Sequence, residues 1–234
     1  MIRAVTFDLD DTLWPIEPVM LRCEAVLDAW LNEHCPEVAA AWPIGAMREL
    51  RERVFRENPQ LAHDFTATRK LSLAIAFEPH GRGEEWVERA FEVFYAARNE
   101  VELYPDALDA LRTLSARWPL ASVSNGNADL HRIGLGEYFA ATVTARTIGV
   151  AKPDPAIFRR AATYLDVPPQ HIVHVGDDPE LDVMGAKAAG MRAIWLNRHA
   201  MPWPLEAVTP DLTITTLAEL EPALDRLQHG TAPR

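Results

Sequence analysis

Ala4-Val5-Thr6-Phe7-Asp8-Leu9-Asp10-Asp11-Thr12 begins as an apolar, β-branched run and ends in three carboxylates within four residues. Ala4 to Phe7 reads as a strand. Asp8, Asp10 and Asp11 then fall at its carboxyl end, where open α/β sheets bind their ligands. Aspartate and threonine also make ordinary helix caps and turns, so this stretch alone leaves a catalytic and a structural role open.

Working outward, similar short runs recur at Leu120 to Ser124, Ala141 to Thr144, Ile172 to Val175, Ala193 to Leu196 and Leu212 to Ile214, with amphipathic stretches between most of them. Strands alternating with helices predict a Rossmann-like, doubly wound parallel sheet. From about Val19 to Val101 the pattern is helical only, with Val19, Cys23, Val26, Leu27 and Trp30, then Ile44, Met47, Leu50 and Val54, then Trp86, Ala90 and Phe94 at steps of three or four. Trp14-Pro15-Ile16 and Leu103-Tyr104-Pro105 bound this insertion, because proline disfavours helix in the residue before it. The expected organisation is a core of residues 1–15 and 103–234 and a helical domain of residues 16–102. Trp30 and Trp86 are expected in the core of that helical domain, and Thr66 and Arg69 on a helix face that is either solvated or in contact with a bound substrate.

Composition narrows the function. The chain has 234 residues, 48 % of them hydrophobic, enough for one core and an insertion. Its 23 basic and 34 acidic side chains give a net charge of −11, which repels nucleic acid and anionic membranes, and no basic run compensates. Cys23 and Cys35 form neither a CxxC pair nor a zinc-ligand set, and read as reduced core thiols. No secretion-signal pattern precedes the first strand and no segment is long and apolar enough to span a bilayer, so a cytoplasmic protein, monomeric or homodimeric, is expected.

Three further polar clusters follow predicted strands. Ser124-Asn125-Gly126 offers a hydroxyl and a turn whose N–H groups suit a phosphate oxygen. Lys152-Pro153-Asp154-Pro155 places a lysine just before a helix start. Gly176-Asp177-Asp178, with Asp182 four residues on, opens the helix expected through Ala186 and Ala189. Each has a structural explanation by itself: a common turn, a surface charge, a helix cap. Together they converge on one sheet edge. Asp8, Asp10 and Asp177 gathered there would raise one another's pKa values unless a cation were present, and carboxylate oxygens suit Mg²⁺.

The ordered set DxDxT, Ser, Lys and GDxxxxD resembles the haloacid dehalogenase-like hydrolase superfamily across the whole chain, in its branch with a helical first-type cap. The resemblance implies a Mg²⁺-dependent phosphatase acting on a small phosphate ester. It makes Asp8 the nucleophile and Asp10 the general acid and base, with Ser124 and Asn125 as phosphate ligands and Lys152 as charge neutraliser. It also implies a metal site of Asp8, the Asp10 carbonyl and Asp177, supported by Asp178 and Asp182. Ser124-Asn125-Gly126-Asn127, Gly134 to Phe139 and His174-Val175-Gly176-Asp177-Asp178 are similar to bacterial flavin mononucleotide (FMN) phosphatases, which also act on the ribitylaminouracil phosphate of riboflavin synthesis. Trp14 then reads as hinge packing or as a ring stacked on substrate. Two rivals stay open: a 2-haloacid dehalogenase, whose members lack the second aspartate, and a non-catalytic binding module, which would have lost part of the polar set.

Overall fold

The computed structural model describes residues 1–229 and contains six parallel strands in the order β3-β2-β1-β4-β5-β6: β1 (Ala4–Phe7), β2 (Leu120–Ser124), β3 (Ala141–Thr144), β4 (Ile172–Gly176), β5 (Arg192–Leu196) and β6 (Leu212–Ile214). β1, β2 and β4 are buried at every residue, as strands covered on both faces must be, which explains their unbroken apolar runs. Val5 pairs with Leu120 on one side and Val173 on the other. The strand order reverses between β1 and β4, so their carboxyl ends flank the crevice where such sheets hold ligands.

The helices are α1 (Ile16–His34), α2 (Pro36–Ala41), α3 (Ile44–Glu57), α4 (Phe65–Phe77), α5 (Glu84–Arg98), α6 (Ala107–Ser115), α7 (Leu130–Ile133), α8 (Ala145–Ile148), α9 (Pro155–Leu165), α10 (Gly185–Ala188) and α11 (Leu220–His229). The chain forms two compact units. The sheet unit comprises Met1–Pro15, Glu102–Gly126 and Gly134–Arg234, and the helical unit comprises Ile16–Val101 with Asn127–Ile133. In the sheet unit, Val123, Val143, Ile157, Phe158, Ile172 and Val183 belong to one core cluster that joins the strands to α9. The helix expected through Ala186 and Ala189 is interrupted: Pro179–Met184 form a wide π-type turn before α10 begins at Gly185.

In the helical unit, α1 packs on α5, α5 on α4, and α4 on α3. The buried stripe of α1 is Val19, Cys23, Leu27 and Leu31, one residue every four. Val26 lies off that stripe and is 38 % exposed, as is Ile44, so the apolar spacing of these helices reaches past their buried faces. Trp30 and Trp86 are only half-buried and pair with each other at 6.2 Å, with Arg89 over both rings. The solvated face expected for Thr66 and Arg69 is corrected: both are buried. Thr66 accepts a hydrogen bond from Asn127 Nδ2 at 3.2 Å, and the Arg69 guanidinium lies 3.6 Å from the Phe94 ring centre. Burial, with Arg51 nearby, pushes Arg69 down to about 9. Cys23 and Cys35 are free, buried thiols. Among the described residues, no helix is long and apolar enough to cross a membrane.

Candidate active site

Asp8 continues β1 by one residue, its N–H donating to Val175 O at 2.9 Å, so its carboxylate stands at the carboxyl end of the central strand. Lys152 reaches it from the loop after α8. The Lys152 backbone is held by Asn125, which accepts from Lys152 N at 2.7 Å and donates from Nδ2 to Lys152 O at 3.1 Å. The buried ammonium donates to Asp8 Oδ1 at 2.5 Å and to Asp182 Oδ1 at 2.6 Å. Burial alone would favour a neutral amine, but Asp182 and Asp8 outweigh it and hold Lys152 protonated above its usual range. Burial raises the Asp8 carboxyl well above the ordinary carboxylate range; Lys152 opposes that rise, and Asp182 and Asp177 add to it.

β4 delivers the other acids. Asp177 accepts from Thr12 Oγ1 at 3.1 Å, and its carbonyl accepts from Trp195 Nε1 at 2.7 Å. Burial, then Asp182 and Asp11, raise it to about 7 against the Thr12 hydrogen bond. Asp178 turns away to cap the π-type segment, accepting from Glu180 N and Leu181 N, both at 2.8 Å. Asp182 is fully buried; its Oδ1 takes Lys152 and the His174 Nε2 at 3.2 Å, and its Oδ2 takes Asp178 N at 3.0 Å. Burial opposes the charge on Asp182, yet Lys152 and His174 hold its carboxyl well below the usual range.

Gly176 makes room for this arrangement. A Cβ there would sit 2.3 Å from Asp182 Cγ and Oδ2. Gly176→Ala should therefore displace Asp182 and unseat Lys152, costing about 1–3 kcal/mol of stability and most of the activity. Thermal unfolding beside a turnover assay checks this, and a variant with parental values in both would refute the close-approach argument.

Ser124 ends β2 and accepts from Gly126 N at 2.9 Å. Asp10 accepts from Trp14 Nε1 at 2.8 Å, and Asp11, at φ 59°, donates from its N–H to Trp14 O at 2.7 Å, closing a tight loop. Trp14 is fully buried, which removes the reading that its ring stacks on substrate. Arg198 fixes the same loop, donating to Thr12 O at 3.0 Å and to both carboxylate oxygens of Asp106 at 3.0 Å.

The donor set suits a hard divalent cation. Asp8, Asp177 and Asp182 each offer an oxygen within 4.8 Å of the others, three carboxylates against one ammonium. Both Asp182 oxygens already accept protein donors, so it fits the role of holding Lys152 better than that of binding metal. The structure thus gathers Asp8, Lys152, Asp177 and Asp182, while Asn125 and Asp178 direct their side chains to backbone groups. The roles of Trp14, His174 and Arg198 were not readable from the motifs: Trp14 donates to Asp10, His174 contacts Thr6 and Asp182, and Arg198 donates to Asp106 and to Thr12 O.

Comparison with known proteins gives the family. The family described as haloacid dehalogenase-like hydrolase matches residues 2–190. The chain is 34 % identical over 226 residues to the Escherichia coli (strain K12) 5-amino-6-(5-phospho-D-ribitylamino)uracil phosphatase YigB, covering 94 % of each chain. It is 35 % identical over 199 residues to phosphoserine phosphatase from Thermus thermophilus, covering 82 % of this chain and 71 % of that one. A solved 2-haloacid dehalogenase from Pseudomonas syringae pv. Tomato superimposes with a TM-score of 0.90 at 38 % identity, over 97 % of this chain and 100 % of that one. A parallel sheet with this strand order, a lysine bridging two acids at its carboxyl edge and relatives of these kinds identify the chain as an enzyme of the haloacid dehalogenase-like hydrolase family.

Proposed function

We propose that the protein is a Mg²⁺-dependent phosphomonoesterase for a small phosphorylated metabolite, with FMN or ribitylaminouracil phosphate as the first substrates to test. The observation that carries this reading is Asp10, a second carboxylate two residues after Asp8, oriented by the buried Trp14 indole. A phosphate ester gives an alkoxide that needs a proton, and a carboxyl held at that place can provide one.

In the proposed mechanism Asp8 attacks phosphorus in line and becomes an aspartyl phosphate, so that one slow displacement is divided into two. Asp10 protonates the departing oxygen and then takes a proton from the water that hydrolyses the acyl phosphate. Lys152 balances charge on the transferring group, and Ser124 with the turn N–H groups after it orients the phosphate. Asp8, Asp177 and the Asp10 carbonyl would hold Mg²⁺, whose contribution is to neutralise charge on the phosphoryl oxygens. The helical unit is proposed as the cap that selects the leaving group.

Chelation of divalent metal should lower phosphate release by about 10²-fold or more, and Mg²⁺ should restore it. A pH dependence follows. Asp177 titrates near 7 in the metal-free fold against an ordinary 3.8, so the unfolded chain ionises first and metal-free stability falls as pH rises through that interval. Mg²⁺ selects the ionised form, so the rise in Tm on adding it should be larger at about pH 8 than at about pH 5.5. Equal increments at both, or full activity in chelator, would remove the metal assignment.

The dehalogenase-named neighbour supports a second reading, in which Asp8 displaces halide from a 2-haloacid and water cleaves the resulting ester. Halide leaves as a stable anion, so that reaction gives Asp10 no acid to be. The deciding experiment is a panel of FMN, ribitylaminouracil phosphate, phosphoserine, nucleotides, sugar phosphates and 2-haloacids, ranked by kcat/KM from phosphate or halide release. Halide release exceeding phosphate release on every ester would replace the phosphatase reading.

A further inference from the structure

We propose that His174 is a positioning residue, which sets the place of Lys152 between Asp182 and Asp8 by donating a hydrogen bond from Nε2 to Asp182. The inference deepens the phosphatase reading and rests on it for its kinetic part. His174 lies in the middle of β4, directly across from Thr6 on β1, and is fully buried. Both ring nitrogens are engaged: Nδ1 is 2.9 Å from Thr6 Oγ1 and Nε2 is 3.2 Å from Asp182 Oδ1. Phe158 packs edge-on at 5.0 Å and fixes the ring plane.

The proton positions follow from what each partner can do. The Asp182 carboxylate can only accept, so Nε2 carries the hydrogen. Burial lowers the His174 pKa against the opposing pull of Asp182, so the ring is neutral and Nδ1 is bare. A bare Nδ1 can only accept, so the Thr6 hydroxyl donates to it. The chain of donors is then Thr6 to His174, His174 to Asp182, with Lys152 donating to Asp182 and to Asp8.

The consequence is a balance on one oxygen. Asp182 Oδ1 is shared by a neutral donor from β4 and the Lys152 ammonium. With the neutral donor removed, that oxygen draws the ammonium more strongly, and Asp8 loses the partner that aims it. The effect falls on the alignment of Asp8 during reaction and not on substrate affinity, so it belongs in kcat.

The test uses the full chain with p-nitrophenyl phosphate as probe, comparing the parent with His174→Phe, His174→Gln and Thr6→Val. His174→Phe should lower kcat about 10- to 100-fold with KM nearly unmoved. His174→Gln, whose amide can donate to Asp182, should recover most of that loss. Nitrogen-15 NMR of the parent ring should show hydrogen on Nε2 and none on Nδ1, and Thr6→Val should keep hydrogen on Nε2, because the Asp182 carboxylate facing it can still only accept; a Thr6→Val ring with hydrogen on Nδ1 alone would overturn the proposal. A parent ring protonated at Nδ1 alone, a His174→Phe variant with parental kcat, or a His174→Gln variant as slow as His174→Phe would each overturn the proposal. Should His174→Phe fail to fold, the parent tautomer and the Thr6→Val spectrum decide. A parent that releases no phosphate from any ester sinks the phosphatase reading, while the tautomer measurement on the same sample still decides whether His174 donates to Asp182.

Discussion

Asp8→Asn should abolish turnover, by on the order of 10⁴-fold or more, while leaving the fold intact. Asparagine keeps the shape of the side chain at the end of β1 but cannot form the acyl phosphate. Folding should tolerate it because the wild-type carboxylate is itself held at a cost: burial, Asp182 and Asp177 all push Asp8 toward its neutral form. Lys152 keeps Asp182 as its partner, so the change removes one negative charge from an acidic cluster and strands no buried ammonium. The expected pair of results is a Tm close to the parent's and no phosphoprotein after acid quench. Turnover within tenfold of the parent would show that Asp8 is not the nucleophile.

Asp10→Asn should separate the two chemical steps. The substitution keeps the backbone carbonyl proposed for Mg²⁺ and removes the group that gives and takes a proton. With an aryl phosphate the phenolate departs with little protonation, so Asp8 is still phosphorylated, while the attacking water lacks its base. The expected record is a burst approaching one phenolate per site, followed by a steady rate slower by roughly 10² to 10⁴-fold. An alkyl phosphate, whose departure needs the acid, should show no burst. Trp14 then serves as a control, since Trp14→Phe leaves the carboxyl but removes the indole donor at 2.8 Å; a partial loss in both steps is expected. Equal slowing for aryl and alkyl esters together with weaker Mg²⁺ binding would assign Asp10 to metal placement instead.

β1 and β2 were legible because burial on both faces demands the continuous apolar runs that Ala4 and Leu120 open, while the edge strands β3 and β6 were legible from β-branched Thr142-Val143-Thr144 and Thr213-Ile214, of which only Val143 and Ile214 are buried. The polar clusters were legible because strand ends in a parallel sheet share one edge. Other features were hidden for physical reasons. Periodicity reports which side of a helix is apolar but not where burial stops, so apolar Val26 stays partly exposed while Arg69, expected on a solvated face, is buried with its cation on Phe94. The π-type turn at Pro179–Met184 is a local answer to packing around Asp182, and a spacing of four residues from Asp178 to Asp182 fits an α-helix as well. Trp14 and His174 look like core aromatics in sequence, and only their hydrogen bonds to Asp10 and Asp182 reveal more.

The clamp on Lys152 also bears on the survival of the enzyme through its own cycle. In the proposed intermediate Asp8 is an activated acyl group, and the Lys152 nitrogen rests 2.5 Å from that side chain. A free amine at that distance would attack the acyl carbon, expel phosphate and weld the two side chains into an amide, ending catalysis after one turnover. The Asp182 carboxylate, which stays ionised when Asp8 is phosphorylated, keeps the nitrogen protonated, with its lone pair occupied by hydrogen. In the proposed cycle, the Lys152–Asp182 ion pair would therefore also guard the enzyme against self-inflicted crosslinking.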